Sequence, residues 1–214
     1  MITLSQVIPH PMSDAGLNPA SDIFGVERTF NKEKRYLVTA PSGKGKSTLL
    51  HIIYGLRKDF NGKVKLLDKD LLAYKPNDWA ELRQTGISII FQDLRLFSPL
   101  SAIDNIRLKS NLATGSADEN RIQEMAALLG MTPFLQQKSE TLSYGQRQRI
   151  AIIRALCQPF DFLLMDEPFS HLDEDNTRIA CQLISEVCDK NNAGFILVSL
   201  GEEYPIRIDE ALIL

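Results

Sequence analysis

Leu142-Ser143-Tyr144-Gly145-Gln146 and, further along, Phe162-Leu163-Leu164-Met165-Asp166-Glu167 are the two stretches that decide the reading of this chain. The second is an unbroken apolar run that delivers two adjacent carboxylates. Such a run reads as a buried strand, and carboxylates at its end can hold Mg²⁺ and polarise an attacking water. In the first stretch Ser143 and Gln146 have the spacing of a capping box, so a helix starts at Ser143. Its free amides and positive dipole end then point outward at a glycine-lined tip.

Toward the N-terminus, Ala40-Pro41-Ser42-Gly43-Lys44-Gly45-Lys46-Ser47-Thr48 lies between a strand and a helix. It follows the phosphate-binding pattern G-x-x-x-x-G-K-[ST], with Ala40 in place of the first Gly. Gly43 and Gly45 allow backbone amides to turn inward around phosphate oxygens. Lys46 is expected to reach the β- and γ-phosphates and the Ser47 hydroxyl to ligate Mg²⁺. Ser42, Lys44 and Thr48 complete the expected nucleotide contacts, with Thr48 opening a helix whose N-terminal end favours an anion. Ala40 is harmless provided its φ is negative. Asp166 is expected to hold Mg²⁺ through water, and Glu167 to act as general base.

The bulk composition agrees with a globular domain. The chain has 214 residues, 44% of them apolar, enough for one large domain. Twenty-four basic residues stand against 27 acidic ones, a net charge of −3, so nucleic acid is not an expected partner. Cys157, Cys181 and Cys188 lack metal-ligand spacing and read as thiols in a reducing compartment. No stretch approaches the ~18 consecutive apolar residues of a membrane span. No secretory leader is evident.

Alternating apolar patterns predict strands at Ile2–Val7, Ile23–Phe30, Tyr36–Thr39, Lys63–Leu67, Ile87–Phe91, Phe162–Met165 and Phe195–Ser199, and a last one ending at Leu214. A polar loop is expected from Ile8 to Ser21. Helices are expected over Ser47–Tyr54, from Asp78 through Arg83, after Ser101, over Asp118–Leu129, from Thr132-Pro133, over Ser143–Cys157 and over Asn176–Cys188. Strands alternating with helices around a helical middle imply a mostly parallel α/β core.

Taken together these motifs resemble the ATP-binding cassette (ABC) family, over nearly the whole chain from Ile2 to Leu214. The resemblance implies a P-loop NTPase fold with a RecA-like, mostly parallel core, an N-terminal antiparallel β part and an inserted α-helical subdomain. It implies one ATP-binding domain over 1–214, with a core lobe at about 1–92 and 141–214 and a helical subdomain at about 93–140. ATP and Mg²⁺ are the implied cofactors. Ser143, Gly145 and Gln146 correspond to the family's signature tip, which binds the γ-phosphate of ATP held by the opposite subunit. Tyr144 stands where Gly is usual, as in some members, and Arg147-Gln148-Arg149-Ile150-Ala151 and Arg154-Ala155-Leu156 also match. Gln92 corresponds to the glutamine that touches Mg²⁺ and the attacking water, and its loop couples nucleotide state to a membrane partner. Pro168-Phe169-Ser170-His171-Leu172-Asp173 resembles the loop that links the two ATP sites of a dimer, with His171 read as an interface residue. The run from Phe91 to Ile106 looks like the branch serving lipoprotein release, macrolide export and cell division.

The implied role is that of an ATP-hydrolysing subunit, peripheral on the cytoplasmic face of a membrane. It would form a homodimer or heterodimer and serve an integral membrane permease. Two other classes fit the motifs less fully: a soluble cassette acting on nucleic acid or ribosomes, and a hydrolysis-poor nucleotide sensor. Two further positions depart from the family. After Phe195-Ile196-Leu197-Val198-Ser199 the family presents a histidine, and this chain has Leu200. Loss of one donor to transition-state charge costs about 3 kcal/mol, roughly a hundredfold in rate. The loop after the first strand has His10 but no Tyr, Phe or Trp to stack on adenine. The chain also stops where the family continues, so no C-terminal regulatory domain is expected.

Overall fold

The computed structural model describes residues 1–13, 16–112 and 115–214. In chain order the elements are β1 (Ile2–Pro9), a one-turn helix α1 (His10–Ser13), β2 (Glu27–Phe30), β3 (Arg35–Thr39), α2 (Lys46–Ile53), β4 (Phe60–Leu66), β5 (Lys69–Asp70), α3 (Pro76–Thr85) and β6 (Ile87–Ile90). Then come α4 (Ala102–Ser110), α5 (Glu119–Leu128), α6 (Tyr144–Leu156), β7 (Phe162–Asp166), α7 (Glu174–Asn191), β8 (Gly194–Ser199) and β9 (Glu210–Ile213). Five strands in the order β6-β7-β8-β3-β9 form a wholly parallel sheet. An antiparallel sheet, β2-β1-β4-β5, stands apart from it. The expected mostly parallel core with an N-terminal antiparallel part is therefore what the chain builds.

Period-two side-chain alternation divides the interior. Along β7 and β8, Leu163, Met165, Phe195 and Leu197 pack with α4, α5, α6 and α7. Their neighbours Phe162, Leu164, Ile196 and Val198 face α2 and the antiparallel sheet. Every residue of β7 and β8 is buried, as a central strand covered on both faces requires. Cys157, Cys181 and Cys188 are buried free thiols, each pushed up to about 12 by burial.

Several boundaries differ from expectation for local reasons. The strand expected over Ile23–Phe30 begins only at Glu27. The Ser21 hydroxyl accepts from the amides of Ile23 and Phe24, and Gly25 has φ 75°, so this stretch turns instead of pairing. β1 runs on past Val7 because a bulge between Ser5 and Ile8 lets Ile8 and Pro9 pair with β4. Of the loop expected over Ile8–Ser21, Asp14 and Ala15 lie outside the described residues. β4 starts earlier than Lys63, at Phe60. α3 starts at Pro76, where Pro fits the first turn, and Asp78 accepts the amide of Lys75 instead of opening the helix. Thr132-Pro133 opens only a 3₁₀ turn, Thr132–Phe134. α7 begins before Asn176, because Asp173 caps it by accepting the Asn176 amide at 2.8 Å.

The parallel sheet also constrains its glycines. A Cβ at Gly194, the first residue of β8, would lie 2.3 Å from the Lys34 carbonyl oxygen and 2.5 Å from that of Lys32. Gly194→Ala is expected to lower stability by about 1–3 kcal/mol, the range for overpacking. A thermal melt of wild type beside the variant checks this, and an unchanged midpoint would show that the β3 entry yields freely.

Candidate nucleotide site

The phosphate loop is shaped by two glycines and one buried lysine. Gly43 and Gly45 have φ of 76° and 95°, values that suit glycine. A Cβ at Gly45 would also meet the Met12 sulfur at 2.7 Å. Ala40 is outside the positive-φ set and buried, so its replacement of glycine strains nothing. Lys46 Nζ donates to the Ala40 carbonyl at 2.8 Å and the Pro41 carbonyl at 3.2 Å. It also lies 3.5 Å from Glu167 Oε1. The helix α2 opens at Lys46, earlier than expected, with Gly45 as its N-cap.

Glu167 follows the end of β7 with φ 48°, in the left-handed region that is costly for a residue with a side chain. Its amide donates to Val198 O at 3.1 Å, and its carbonyl accepts from the Gln148 amide at 3.3 Å. The Gln92 side chain donates to Glu167 Oε2 at 3.3 Å. Asp166, 2% exposed, has a buried Oδ1 with no hydrogen-bond partner. Burial pushes its carboxyl above the usual carboxylate range, with the Ser47 side chain acting the other way. An orphaned carboxylate oxygen beside a serine hydroxyl is a hard oxygen donor set of the kind Mg²⁺ takes, so these residues fit that ion.

Residues 42–48, Gln92 and Glu167 line one cavity of about 300 Å³, together with Pro11, Met12 and Gly16. His10 is not among its lining residues. Instead its amide donates to Asp59 O, and it joins the stronger hydrogen bond from Arg57 in holding the Asp59 carboxyl down to about 2. Leu200 is 49% exposed, in the turn where Gly201 donates its amide to the Ser199 hydroxyl.

Ser143, Gly145 and Gln146 lie outside that cavity, at the start of α6. The capping box is formed: Ser143 Oγ accepts the Gln146 amide, and Gln146 Oε1 accepts the Ser143 amide at 2.9 Å. A Cβ at Gly145 would come 2.8 Å from the His171 carbonyl oxygen, so the tip and the His171 loop touch backbone to backbone. Ser170, His171 and Asp173 are exposed. One residue tied to Glu167 that the pattern did not single out is Gln148. It is 1% exposed, and its amide bridges the Glu167 carbonyl and the His171 amide. Its place in the Arg147–Ala151 match was the available signal.

A glycine-shaped loop, a buried lysine and the strand-end carboxylate of Glu167 around one cavity, with Asp166 buried behind it, are the arrangement of a P-loop nucleoside triphosphate-binding protein. The model of the ABC transporter family matches residues 23–170. The chain belongs to that family. The lipoprotein-releasing system ATP-binding protein LolD of Legionella pneumophila (strain Paris) is 33% identical over 193 residues, covering 89% of this chain and 85% of the relative. The thiamine import ATP-binding protein ThiQ of Aliivibrio fischeri is 36% identical over 163 residues, covering 75% of this chain and 67% of the relative. Among solved structures, the dimeric bacterial ABC transporter cassette MJ0796 superposes with a TM-score of 0.80 at 26% identity, covering 94% of this chain and 88% of the other. The expected family, its lipoprotein-release branch and the ABC ATPase fold are thus borne out.

Glu167→Gln keeps the shape and the acceptor facing Gln92 but removes the charge. The expected outcome is ATP binding comparable to wild type with phosphate release slowed by about 10²–10⁴, the usual contribution of a general base. Equal release from both proteins would place the base elsewhere.

Proposed function

We propose that this chain is the ATP-hydrolysing subunit of a membrane transport complex. The observation that carries the reading is the meeting of Lys46, Gln92 and Glu167 in the cavity lined by residues 42–48. In this reading the amides of Ser42–Thr48 hold the phosphates, and Lys46 leaves its neighbouring carbonyls to meet the β- and γ-phosphates. Ser47, Asp166 and Gln92 would hold Mg²⁺, which neutralises phosphate charge when bound. Glu167 accepts the proton of the attacking water, and Gln92 orients that water. Ser143, Gly145 and Gln146 serve the ATP of a second cassette, in a homodimer or heterodimer.

The division into a core lobe, about 1–92 and 141–214, and a helical subdomain, about 93–140, belongs to the same proposal. None of the described helices is long and apolar enough to cross a membrane. The relatives' names refer to lipoprotein release and thiamine import, which supports a permease partner and a location on the cytoplasmic face of the membrane.

One position favours slow turnover, as in a nucleotide sensor. Leu200 has no hydrogen-bonding side chain where the family resemblance places a histidine. Leu200→His is expected to raise kcat by about tenfold to a hundredfold with little change in KM, the scale of one transition-state donor. Steady-state phosphate release from both proteins checks it. Brisk wild-type hydrolysis, unchanged by the substitution, would show that Glu167 and Gln92 suffice.

A further inference from the structure

Helix α6 reaches the Gln92 loop at both of its ends. At its start the Tyr144 hydroxyl donates to the Gln92 carbonyl at 2.8 Å. Near its end, Arg154 donates to the carbonyls of Leu94 and of Arg95, the latter at 2.7 Å. The loop between needs such restraint. Leu94 and Arg95 both have positive φ, 61° and 47°, conformations that persist only where the surroundings over-determine them. Arg154 is half-buried, and desolvation lowers its affinity for a proton to about 10. Tyr144 is 36% exposed, and its bond is the anchor nearest the Gln92 side chain.

The Tyr144 ring is itself fixed. It packs against the His171 ring with centroids 4.2 Å apart, and the Arg147 guanidinium lies 5.2 Å from its centroid. His171 is held in turn through its amide on Gln148, whose side chain also donates to the Glu167 carbonyl. Two routes therefore run from the first turn of α6 to Glu167. One passes through Gln92 to the carboxylate, the other through His171 and Gln148 to the backbone. A glycine at position 144 could make neither the hydroxyl bond nor the ring contact.

We propose that Tyr144 is a positioning residue that holds the Gln92 loop so that the Gln92 amide stays on the Glu167 carboxylate. This rests on the hydrolytic role proposed above. It gives the chain a local means of ordering Gln92 where Leu200 contributes no polar group. Tyr144 does not touch the reacting atoms; its hydroxyl acts through Gln92, and the route through its ring, His171 and Gln148 does not need that hydroxyl.

The test is a double-mutant cycle in the full chain. Steady-state kcat and KM for ATP are measured for wild type, Tyr144→Phe, Gln92→Ala and the double variant. Tyr144→Phe keeps the ring and removes only the hydroxyl. The expected loss is about threefold to tenfold in kcat, the scale of one neutral hydrogen bond, at an unchanged KM. In the Gln92→Ala background the same change is expected to cost nothing more, because both substitutions break one linkage. A Tyr144→Phe kcat equal to wild type, or losses that multiply, overturns the proposal. Hydrogen exchange in the nucleotide-free protein supplies a readout independent of hydrolysis. The amides of residues 91–97 are expected to exchange about threefold to tenfold faster in Tyr144→Phe, while those of β7 and β8 keep their rates. Unchanged exchange at 91–97 overturns the proposal even if the wild type turns over slowly, whereas a chain that hydrolyses no ATP contradicts only the functional reading beneath it.

Discussion

The left-handed backbone of Glu167 is the constraint on which the rest of the site depends. A side-chain-bearing residue at φ 48° costs about 1–3 kcal/mol, so the surrounding structure must hold it there. It does so from three directions. The neighbouring strand accepts the Glu167 amide at Val198. The buried Gln148 amide donates to its carbonyl, and the Ser170 amide reaches the same oxygen at 3.4 Å. The effect is to turn the carboxylate away from the strand axis and toward Lys46 and Gln92. Had Glu167 continued the strand, its side chain would have followed the alternation that buries Leu163 and Met165 on one face and Phe162 and Leu164 on the other.

That constraint explains why α6 carries so many loop contacts. Its capping box sets where the helix begins, and its length sets which side chains face the two loops. Gln148, one turn into the helix, reaches the Glu167 loop, while Tyr144 and Arg154 reach the Gln92 loop. The parallel sheet delivers the carboxylates, the phosphate loop delivers the cation, and α6 keeps the connecting loops in register with both. The Glu167 loop, the Gln92 loop and the start of α6 are thereby held by one set of hydrogen bonds.

Much of this is legible in the sequence. The β7 run, the capping box at Ser143 and the phosphate loop are local patterns: each is specified by residues close together in sequence, and each is found where expected. The expectation that Ala40 would be harmless is also local, since it needed only a negative φ. What the pattern could not supply was long-range. The bond from Tyr144 to Gln92 spans 52 positions and that from Gln148 to Glu167 spans 19, and no propensity argument connects such pairs. Boundary errors had a different origin. At Ile23 a serine hydroxyl captured the strand's amides, at Asn176 the cap lay at Asp173, and Asp78, the third residue of a helix already begun, accepts the amide of the N-cap Lys75. In each case a short polar side chain competed for backbone groups that apolar alternation cannot register.

The central claim is that the loop from Ser42 to Thr48, with Lys46 at its centre, is built to hold a triphosphate against Glu167. Calorimetric titration of wild type and Lys46→Ala with ATP in the presence of Mg²⁺ tests it most directly. Saturable ATP binding is expected of the wild type, with affinity weaker by about tenfold to a hundredfold in Lys46→Ala, the value of a charged hydrogen bond to phosphate. Equal affinity in the two proteins, or no ATP binding by the wild type, would contradict it.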